Sequence, residues 1–197
     1  YRCWPKEFST AAYSYIFAGQ MSSKIFKAFG VTVLVTVLGT VVNSTMTSLY
    51  AYVISRSNFP FRKFFTIFAL ITMLFTPGMV ATYLIVSNML FLKDTIWALI
   101  LPMALGPFNI LVMRTFFIKT VPDSIIESAR MDGASELKIF MKIVLPLAVP
   151  GIATISLFAA LGYWNDWFNA LLYIQNDDLV PLQYLLMKIQ SNLDFLA

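Results

Sequence analysis

Four long apolar segments occupy most of this chain, and they constrain its fold more than any other feature. They run over about residues 26–55, 64–92, 95–117 and 143–173. Each is long enough to cross a hydrocarbon core of about 30 Å as a helix. Because backbone polar groups inside a bilayer must be paired within the protein, the sequence predicts an all-α bundle of transmembrane helices. We treat residues 1–197 as a single transmembrane domain.

Composition excludes several classes of function. Hydrophobic residues make up 59% of the chain and charged residues 12%, against roughly 45–50% and 25% in soluble domains. The chain has no histidine and one cysteine, Cys3, which excludes His-based metal sites, Ser-His and Cys-His catalysis, and an internal disulfide. The sequence contains no Walker A motif or other Gly-rich phosphate loop. We therefore predict that the chain is no enzyme, holds no metal or cofactor, and uses ATP only through another subunit.

Charge placement predicts how the segments cross the membrane. The net charge of +4 comes from scattered basic residues, so topology explains it better than nucleic-acid binding, and no nucleic acid is expected as a partner. The loop over residues 55–63 carries three basic residues and no acid, which predicts a cytoplasmic position. Lys93 and Asp94 then form an outer turn. This orientation places Tyr1 and Ala197 outside and, without a signal peptide, predicts a further span upstream.

Proline residues predict breaks in two of the segments. Pro77 interrupts the second segment, and Pro102 and Pro107 interrupt the third. Proline lacks a backbone donor, and a break of this kind inside a membrane is tolerated only within a bundle. The last stretch, residues 175–197, is too interrupted to predict a fifth span.

Small polar residues form a stripe along the first segment. The stripe consists of Thr36, Thr40, Asn43, Ser44 and Thr47. Such residues permit close helix packing together with Gly39, and Asn43 is able to hydrogen-bond across helices. Two interpretations remain open, since the stripe either holds neighbouring helices together or lines a substrate path.

The longest polar stretch, residues 120–142, separates the third and fourth segments and has helix signals of its own. Ser124 and Glu127 fit a capping box at a helix start. Gly133 falls where a helix of two to three turns needs a left-handed residue to stop. A second amphipathic turn is predicted over residues 134–142, before the next apolar segment.

This polar stretch resembles the cytoplasmic EAA loop in the membrane permease subunits of bacterial ABC importers. The matching residues are Glu127, Ala129, Gly133, Ile143, Leu145 and Pro146, with the spacing of the family intact. Ser128 stands where the family often has alanine, and both residues are small. The resemblance implies a MetI-like permease fold and a coupling helix, within residues 122–146, that docks in a cleft of a separate ATPase subunit. The alternative is an amphipathic connector without a partner.

The resemblance also implies roles for single residues of this loop. Glu127 either caps its own helix or pairs with a basic residue of the ATPase. Ala129 and Gly133 permit close contact, and Asp132 lies at the helix end or contacts the partner. The Leu-Pro pair converts movement of the loop into movement of the bundle. The candidate coupling residues are Glu127, Ser128, Ala129, Arg130, Asp132, Gly133, Ile143, Leu145 and Pro146.

A second resemblance lies near the end of the fourth segment, where Trp164, Asn165 and Asp166 are similar to the Trp-Asn-Asp motif of sugar permeases. An aromatic stretch from Trp4 to Tyr13 also resembles these permeases. Asp166 is the only acid within the four apolar segments, which favours a functional role; an interfacial aromatic belt with a water-facing acid is the alternative. The candidate substrate-path residues are Asn43, Thr47, Tyr83, Trp164, Asn165 and Asp166.

Together these resemblances imply the permease subunit of a carbohydrate ABC importer in the bacterial cytoplasmic membrane. The implied partners are ABC ATPase subunits, a second homologous permease, an extracytoplasmic solute-binding protein, an oligosaccharide or polysaccharide fragment, and membrane lipid. A first and a last span are implied to lie outside this sequence. The alternative function is a proton-coupled secondary transporter that uses Asp166.

Overall fold

The structure, a computed structural model, describes residues 22–75 and 77–196, with side chains up to residue 192. Cys3 and the Trp4–Tyr13 stretch lie outside the described residues. Every regular element in the described part is helical, as predicted. The α-helices are α1 (Ser22–Ser55), α2 (Arg62–Leu74), α3 (Gly78–Leu84), α4 (Ile96–Ile100), α5 (Pro107–Thr120), α6 (Asp123–Met131), α7 (Glu136–Ile139), α8 (Leu145–Leu147), α9 (Val149–Asn165), α10 (Phe168–Tyr173) and α11 (Leu182–Leu196).

Helix α1 forms the centre of the bundle and confirms the predicted first segment as an unbroken helix of 34 residues. It packs most extensively against α9 and then against α5. At the α9 contact a Cβ atom added to Gly39 would lie 2.7 Å from the ring of Tyr163. The missing side chain at Gly39 therefore permits the close approach of α1 and α9.

The predicted breaks in the second and third segments are confirmed. The second segment divides between the end of α2 at Leu74 and the start of α3 at Gly78, where Gly78 has a φ of +81°. In the third segment, α4 and a 3₁₀ turn at Leu101–Met103 meet α5 at an angle of 54°. By length and apolarity, α1 is the one helix of the described part that is able to cross a membrane alone, and up to four spans result if each bent pair counts as one.

The fourth apolar segment, predicted over residues 143–173, does not form one helix in the structure. A helical stretch over Glu136–Leu147 meets α9 at an angle of 82°. Ala148 lies between them with φ −99° and ψ 7°, and Pro150 in the next turn cannot donate the backbone hydrogen bond that would continue the helix. The first residues of this apolar segment therefore belong to the polar loop, and the spanning helix begins at Val149.

A buried apolar cluster joins the polar loop to α5 and to the C-terminal end of α1. Its members are Ala51, Tyr52, Ile54, Ile110, Met113, Phe117, Val121, Ile126, Ile139, Phe140, Val144, Ala148 and Ile155. We call this set the inner core. Because residues from α6, α7 and the following π-helical turn at Phe140–Val144 are buried in it, the polar loop is packed on the bundle and is not a free connector.

The polar stripe of α1 faces other helices. The side-chain amide of Asn43 donates to the carbonyl oxygen of Met103 over 2.8 Å, and the hydroxyl oxygens of Ser44 and Ser156 lie 2.7 Å apart. These contacts join α1 to the 3₁₀ turn of the third segment and to α9. The packing interpretation therefore accounts for Asn43 and Ser44. The hydroxyl of Thr47 is buried without a hydrogen-bond partner in the described part.

Candidate coupling site

Helix α6 ends at Met131, and Gly133 is the left-handed residue just beyond it, as the sequence predicts. Gly133 has a φ of +77°, a left-handed conformation that a side chain makes costly. Its N–H donates to the carbonyl of Arg130 over 2.9 Å, and the N–H of Ala134 donates to the carbonyl of Ala129 over 3.0 Å. These two bonds form a Schellman motif, which satisfies carbonyls at the end of the helix. The chain then turns sharply into α7.

The predicted capping box at the start of α6 is absent, so that prediction was wrong. The residue before the helix is Pro122, with φ −60° and ψ 141°, and no side chain caps the first turn. Ser124 lies one position inside the helix, where its carbonyl accepts a hydrogen bond from the Ser128 hydroxyl over 2.9 Å. The first helical residue is Asp123, whose negative charge is favourable at a helix N-terminus. Glu127 is exposed and does not cap its own helix.

The second half of the loop is a helical stretch that contains a π-helical turn. Ile139, Phe140 and Val144 are buried in the inner core. Ile143 and Leu145 are half-buried against the same cluster, whereas Pro146 is exposed. The stretch thus lies along the bundle with one apolar face, and it leads directly to the bend before α9.

Arg56, at the end of α1, fixes α6 to the bundle. Its side chain is 7% exposed and forms an ion pair with Asp123, with 3.2 Å between Nη1 and Oδ1. The guanidinium also donates to the carbonyl oxygens of Phe117 and Val121 at the end of α5, both over 3.4 Å. Burial lowers the pKa of Arg56, and the charge of Asp123 opposes this shift. One side chain therefore joins α1, α5 and α6.

A second polar contact closes the turn between α6 and α7. Arg130 Nε donates to Glu136 Oε1 over 2.6 Å, and the hydroxyl of Tyr52 donates to Glu136 Oε2 over 3.2 Å. The hydrogen bond from Arg130 is the main cause of the lowered pKa of Glu136, and the same bond raises the pKa of Arg130. Glu136 thus connects both halves of the loop to α1.

Sequence reasoning missed four members of this network, Arg56, Asp123, Tyr52 and Glu136. Arg56 was used only as a topology marker, and neither Tyr52 nor Glu136 was selected. No helical spacing pointed to Glu136, because Arg130 and Glu136 are six residues apart and lie on either side of the glycine turn. No local pattern pointed to Arg56 and Asp123, because these residues are brought together only by the packing of α1 against α5.

The outer face of the loop carries exposed apolar side chains. Met131 is 89% exposed and Leu137 is 67% exposed, and sequence reasoning missed both. The candidate residues Glu127, Ser128 and Asp132 are also exposed. Large exposed apolar side chains next to charged ones are typical of a docking surface. Ala129 and Arg130 are half-buried on the opposite face, next to the bundle.

The candidate substrate-path residues make their hydrogen bonds and ring contacts with other residues. Tyr83 stacks on Tyr173, with 5.9 Å between ring centroids and 9° between planes. Trp164 contacts Phe29 edge-on at 5.9 Å, and the side-chain amide of Asn165 donates to the carbonyl of Leu161 within the same helix. Among the described residues no hydrogen bond or ring contact joins any two of the candidates Asn43, Thr47, Tyr83, Trp164, Asn165 and Asp166.

Asp166 lies at a helix end and not within a spanning helix. It follows the last residue of α9 and is half-buried. Its carboxylate accepts hydrogen bonds from the backbone N–H and the side-chain amide of Asn169, over 3.2 and 2.8 Å. Asp166 thereby accepts from a backbone N–H in the first turn of α10, which gives the acid a structural role. In the described part of the chain no group of three or more Cys, Asp or Glu side chains is placed to hold a metal ion.

The fold and the EAA-like loop define a membrane permease. The sequence pattern of a protein family described as "Binding-protein-dependent transport system inner membrane component" matches residues 44–196. This region includes the C-terminal third of α1, the whole polar loop and α9. The chain belongs to this family.

Known relatives and one solved structure support the assignment. The chain is 45% identical over 185 residues to the "Polygalacturonan/rhamnogalacturonan transport system permease protein YtcP" of Bacillus subtilis (strain 168), covering 94% of this chain and 63% of that protein. It is 41% identical over 194 residues to "Protein LplC" of the same organism, covering 98% of this chain and 64% of that protein.

A similar solved structure is described as a "Crystal structure of a bacterial ABC transporter involved in the import of the acidic polysaccharide alginate". It matches with a TM-score of 0.86 and 31% sequence identity over 93% of this chain and 64% of that chain. This similarity confirms the predicted permease fold. The chain spans slightly less than two thirds of the length of these three proteins.

Proposed function

We propose that this chain is the membrane-spanning subunit of an ATP-driven carbohydrate importer and that residues 122–146 couple it to a separate ATPase. The observation that carries the proposal is the position of this loop. Its inner face is buried in the inner core, and its outer face exposes Met131 and Leu137 beside Glu127 and Asp132. A loop that only connected two spans would need neither the buried face nor the exposed apolar one.

Coupling follows from the way the loop is attached. An ATPase that moves the outer face of α6 also moves Arg56 and Tyr52 of α1, because Asp123 and Glu136 hold these residues. The movement reaches α9 through the helical stretch that ends at Leu147. ATP-driven closure of the ATPase pair thereby favours one of two arrangements of the bundle over the other.

The proposed role as a coupled importer subunit implies the partners. Two ATPase subunits bind the coupling loops, a second homologous permease completes the path, and an extracytoplasmic solute-binding protein delivers the substrate. The subunit lies in the bacterial cytoplasmic membrane. Two of the three similar proteins have a substrate in their description: polygalacturonan or rhamnogalacturonan in one, and alginate in the other. On that basis we propose an oligosaccharide or polysaccharide fragment as the solute, with the six candidate path residues as proposed contacts.

Orientation in the membrane has a direct test. In a cysteine-free background, Asn58→Cys should react with an impermeant thiol reagent only from the cytoplasm. Lys93→Cys should react only from outside, because Lys93 lies next to the turn that joins the second and third segments. Both positions are accessible, Asn58 being exposed and Lys93 half-buried. The reverse labelling pattern would contradict the proposed orientation.

The energy source distinguishes the proposal from a proton-coupled transporter. In vesicles containing the assembled importer, we expect solute uptake to require ATP and to continue when the pH gradient is collapsed. Asp166→Asn should leave most of this uptake intact, because the amide still accepts a hydrogen bond from Asn169. Loss of uptake in this variant, together with uptake driven by a pH gradient alone, would favour the secondary transporter.

The attachment of α6 to α1 also has a test. Arg56→Lys keeps the positive charge but loses the forked geometry that reaches Asp123 and the carbonyls of α5. We expect normal amounts of bound ATPase, because the outer face of the loop is unchanged, but little stimulation of ATP hydrolysis by substrate. Lys119→Arg is the control, since it also exchanges one basic side chain for another and Lys119 is exposed and forms no ion pair in the part of the chain described. Equal stimulation in both variants would exclude this role of Arg56.

A further inference from the structure

Three basic side chains surround a cavity between the start of α2 and the inner half of α5. They are those of Arg62, Lys63 and Arg114, and Thr66 and Ile67 complete the lining of a cavity of about 310 Å³. None of the three forms an ion pair within residues 22–75 and 77–192. No acid lines the cavity, so it concentrates positive charge without an internal counter-ion.

Arg114 forms a fixed wall of this cavity. Its Nε donates to the carbonyl oxygen of Ile54 over 3.2 Å, near the end of α1, where a positive charge also opposes the negative end of the helix dipole. This bond uses one of the five guanidinium donors and leaves the terminal nitrogens available for a ligand. Arg114 therefore presents a fixed fork, which suits a phosphate group.

The beginning of α2 adds a second source of positive potential. The helix has 13 residues, and no side chain caps its N-terminus. Arg62 and Lys63 are its first two residues, so the positive end of the helix dipole adds to the charge of their side chains. The helix end, the two basic side chains and the fixed arginine thus act on the same cavity.

An exposed apolar surface continues from the basic end of α2. Phe64, Ile67 and Phe68 are 63%, 55% and 53% exposed. A soluble anion would gain nothing from this surface, whereas a lipid with an anionic headgroup would place its phosphate at the cavity and its acyl chains along the helix. The combination of charge and apolarity therefore favours an amphiphile over a free anion.

We propose that Arg62, Lys63 and Arg114 bind the phosphate of an anionic phospholipid in the cytoplasmic leaflet. The site lies on α2 and α5, outside the coupling loop. The proposal rests on the cytoplasmic orientation given above but does not depend on ATPase docking. The bound lipid would hold α2 against α5 at the membrane boundary.

The test measures lipid binding to the assembled importer in detergent, using phosphatidylglycerol and phosphatidylcholine and native mass spectrometry. The variant Arg62→Gln/Lys63→Gln removes two charges from the cavity and keeps Arg114, whose bond to Ile54 supports the fold. The control Lys138→Gln/Lys142→Gln removes two exposed charges from the coupling loop and changes the net charge equally.

We expect the wild type and the control to prefer phosphatidylglycerol, and the cavity variant to bind it about 10- to 30-fold more weakly. Millimolar inorganic phosphate should not displace the lipid. Equal lipid affinity in the cavity variant, an equal loss in the control, or displacement by inorganic phosphate would each overturn the proposal. ATP-dependent uptake in phosphatidylcholine vesicles tests the proposed function separately, because that assay contains no anionic lipid.

Discussion

Replacement of Gly133 by tryptophan is expected to abolish binding of the ATPase subunits while the permease still inserts and folds. Gly133 is exposed, and a Cβ atom added to it would meet nothing within 4 Å in the described structure. A side chain at this position therefore begins in open space, and its intrinsic cost is the strain of the left-handed backbone at φ +77°. A loss of association much larger than that strain explains must come from a partner that approaches the turn between α6 and α7 closely.

Smaller substitutions separate backbone strain from this partner effect. Gly133→Ala places a Cβ atom in a left-handed conformation at a cost of about 1 kcal/mol, so we expect a mild loss of coupling. Gly133→Asn is the matched control, because asparagine tolerates this conformation better than other residues with side chains. The order of ATPase association should be glycine, asparagine, alanine and then, far lower, tryptophan.

Two measurements decide the result: the amount of ATPase co-purified with the tagged permease, and the rate of substrate-stimulated ATP hydrolysis. Protease accessibility of the outer loops should be the same in all variants, which controls for insertion. If Gly133→Trp retained wild-type association and transport, residues 122–146 would be a connector without a partner, and the coupling proposal would be wrong.

Features set by local chemistry were predictable from the sequence. The end of α6 follows from a glycine at the one position that needs a left-handed backbone, and the breaks near Pro77, Pro102 and Pro107 follow from missing backbone donors. The length and apolarity of α1 were sufficient to predict an unbroken span. In each case the cause lies within a few residues of its effect.

Features set by tertiary packing were not predictable. The capping box fits the sequence at Ser124, but the helix begins at Asp123, whose carboxylate is held by Arg56 from another helix. Residues 143–147 are apolar enough for a membrane span, but their buried side chains pack in the inner core. The sequence position of Asp166 favours a functional acid within the membrane. In the structure Asp166 follows the last residue of α9 and accepts hydrogen bonds from Asn169.

The sequence analysis associated Gly39 with close helix packing, and the structure shows how strongly this glycine differs from Gly30. Gly30 and Gly39 both lie in α1. A Cβ atom added to Gly30 meets nothing within 4 Å, whereas one added to Gly39 would lie 2.7–2.8 Å from three ring carbons of Tyr163. The ring has little room to move, because its hydroxyl donates to the carbonyl of Ile100 over 2.9 Å in a buried position. The contact at Gly39 therefore lies between the backbone of α1 on one side and a ring held in place by its hydrogen bond on the other.

Gly39→Ala is consequently expected to destabilise the bundle by about 1–3 kcal/mol, the usual cost of overpacking. Gly30→Ala is the matched control and should be neutral or slightly stabilising, because alanine is the better helix former. Thermal unfolding in detergent measures both effects. The double variant Gly39→Ala/Tyr163→Leu should lose less stability than the two single variants added together, since the smaller side chain removes the clash. Additive losses would show that the cost at Gly39 arises elsewhere and that the α1–α9 contact does not depend on this glycine.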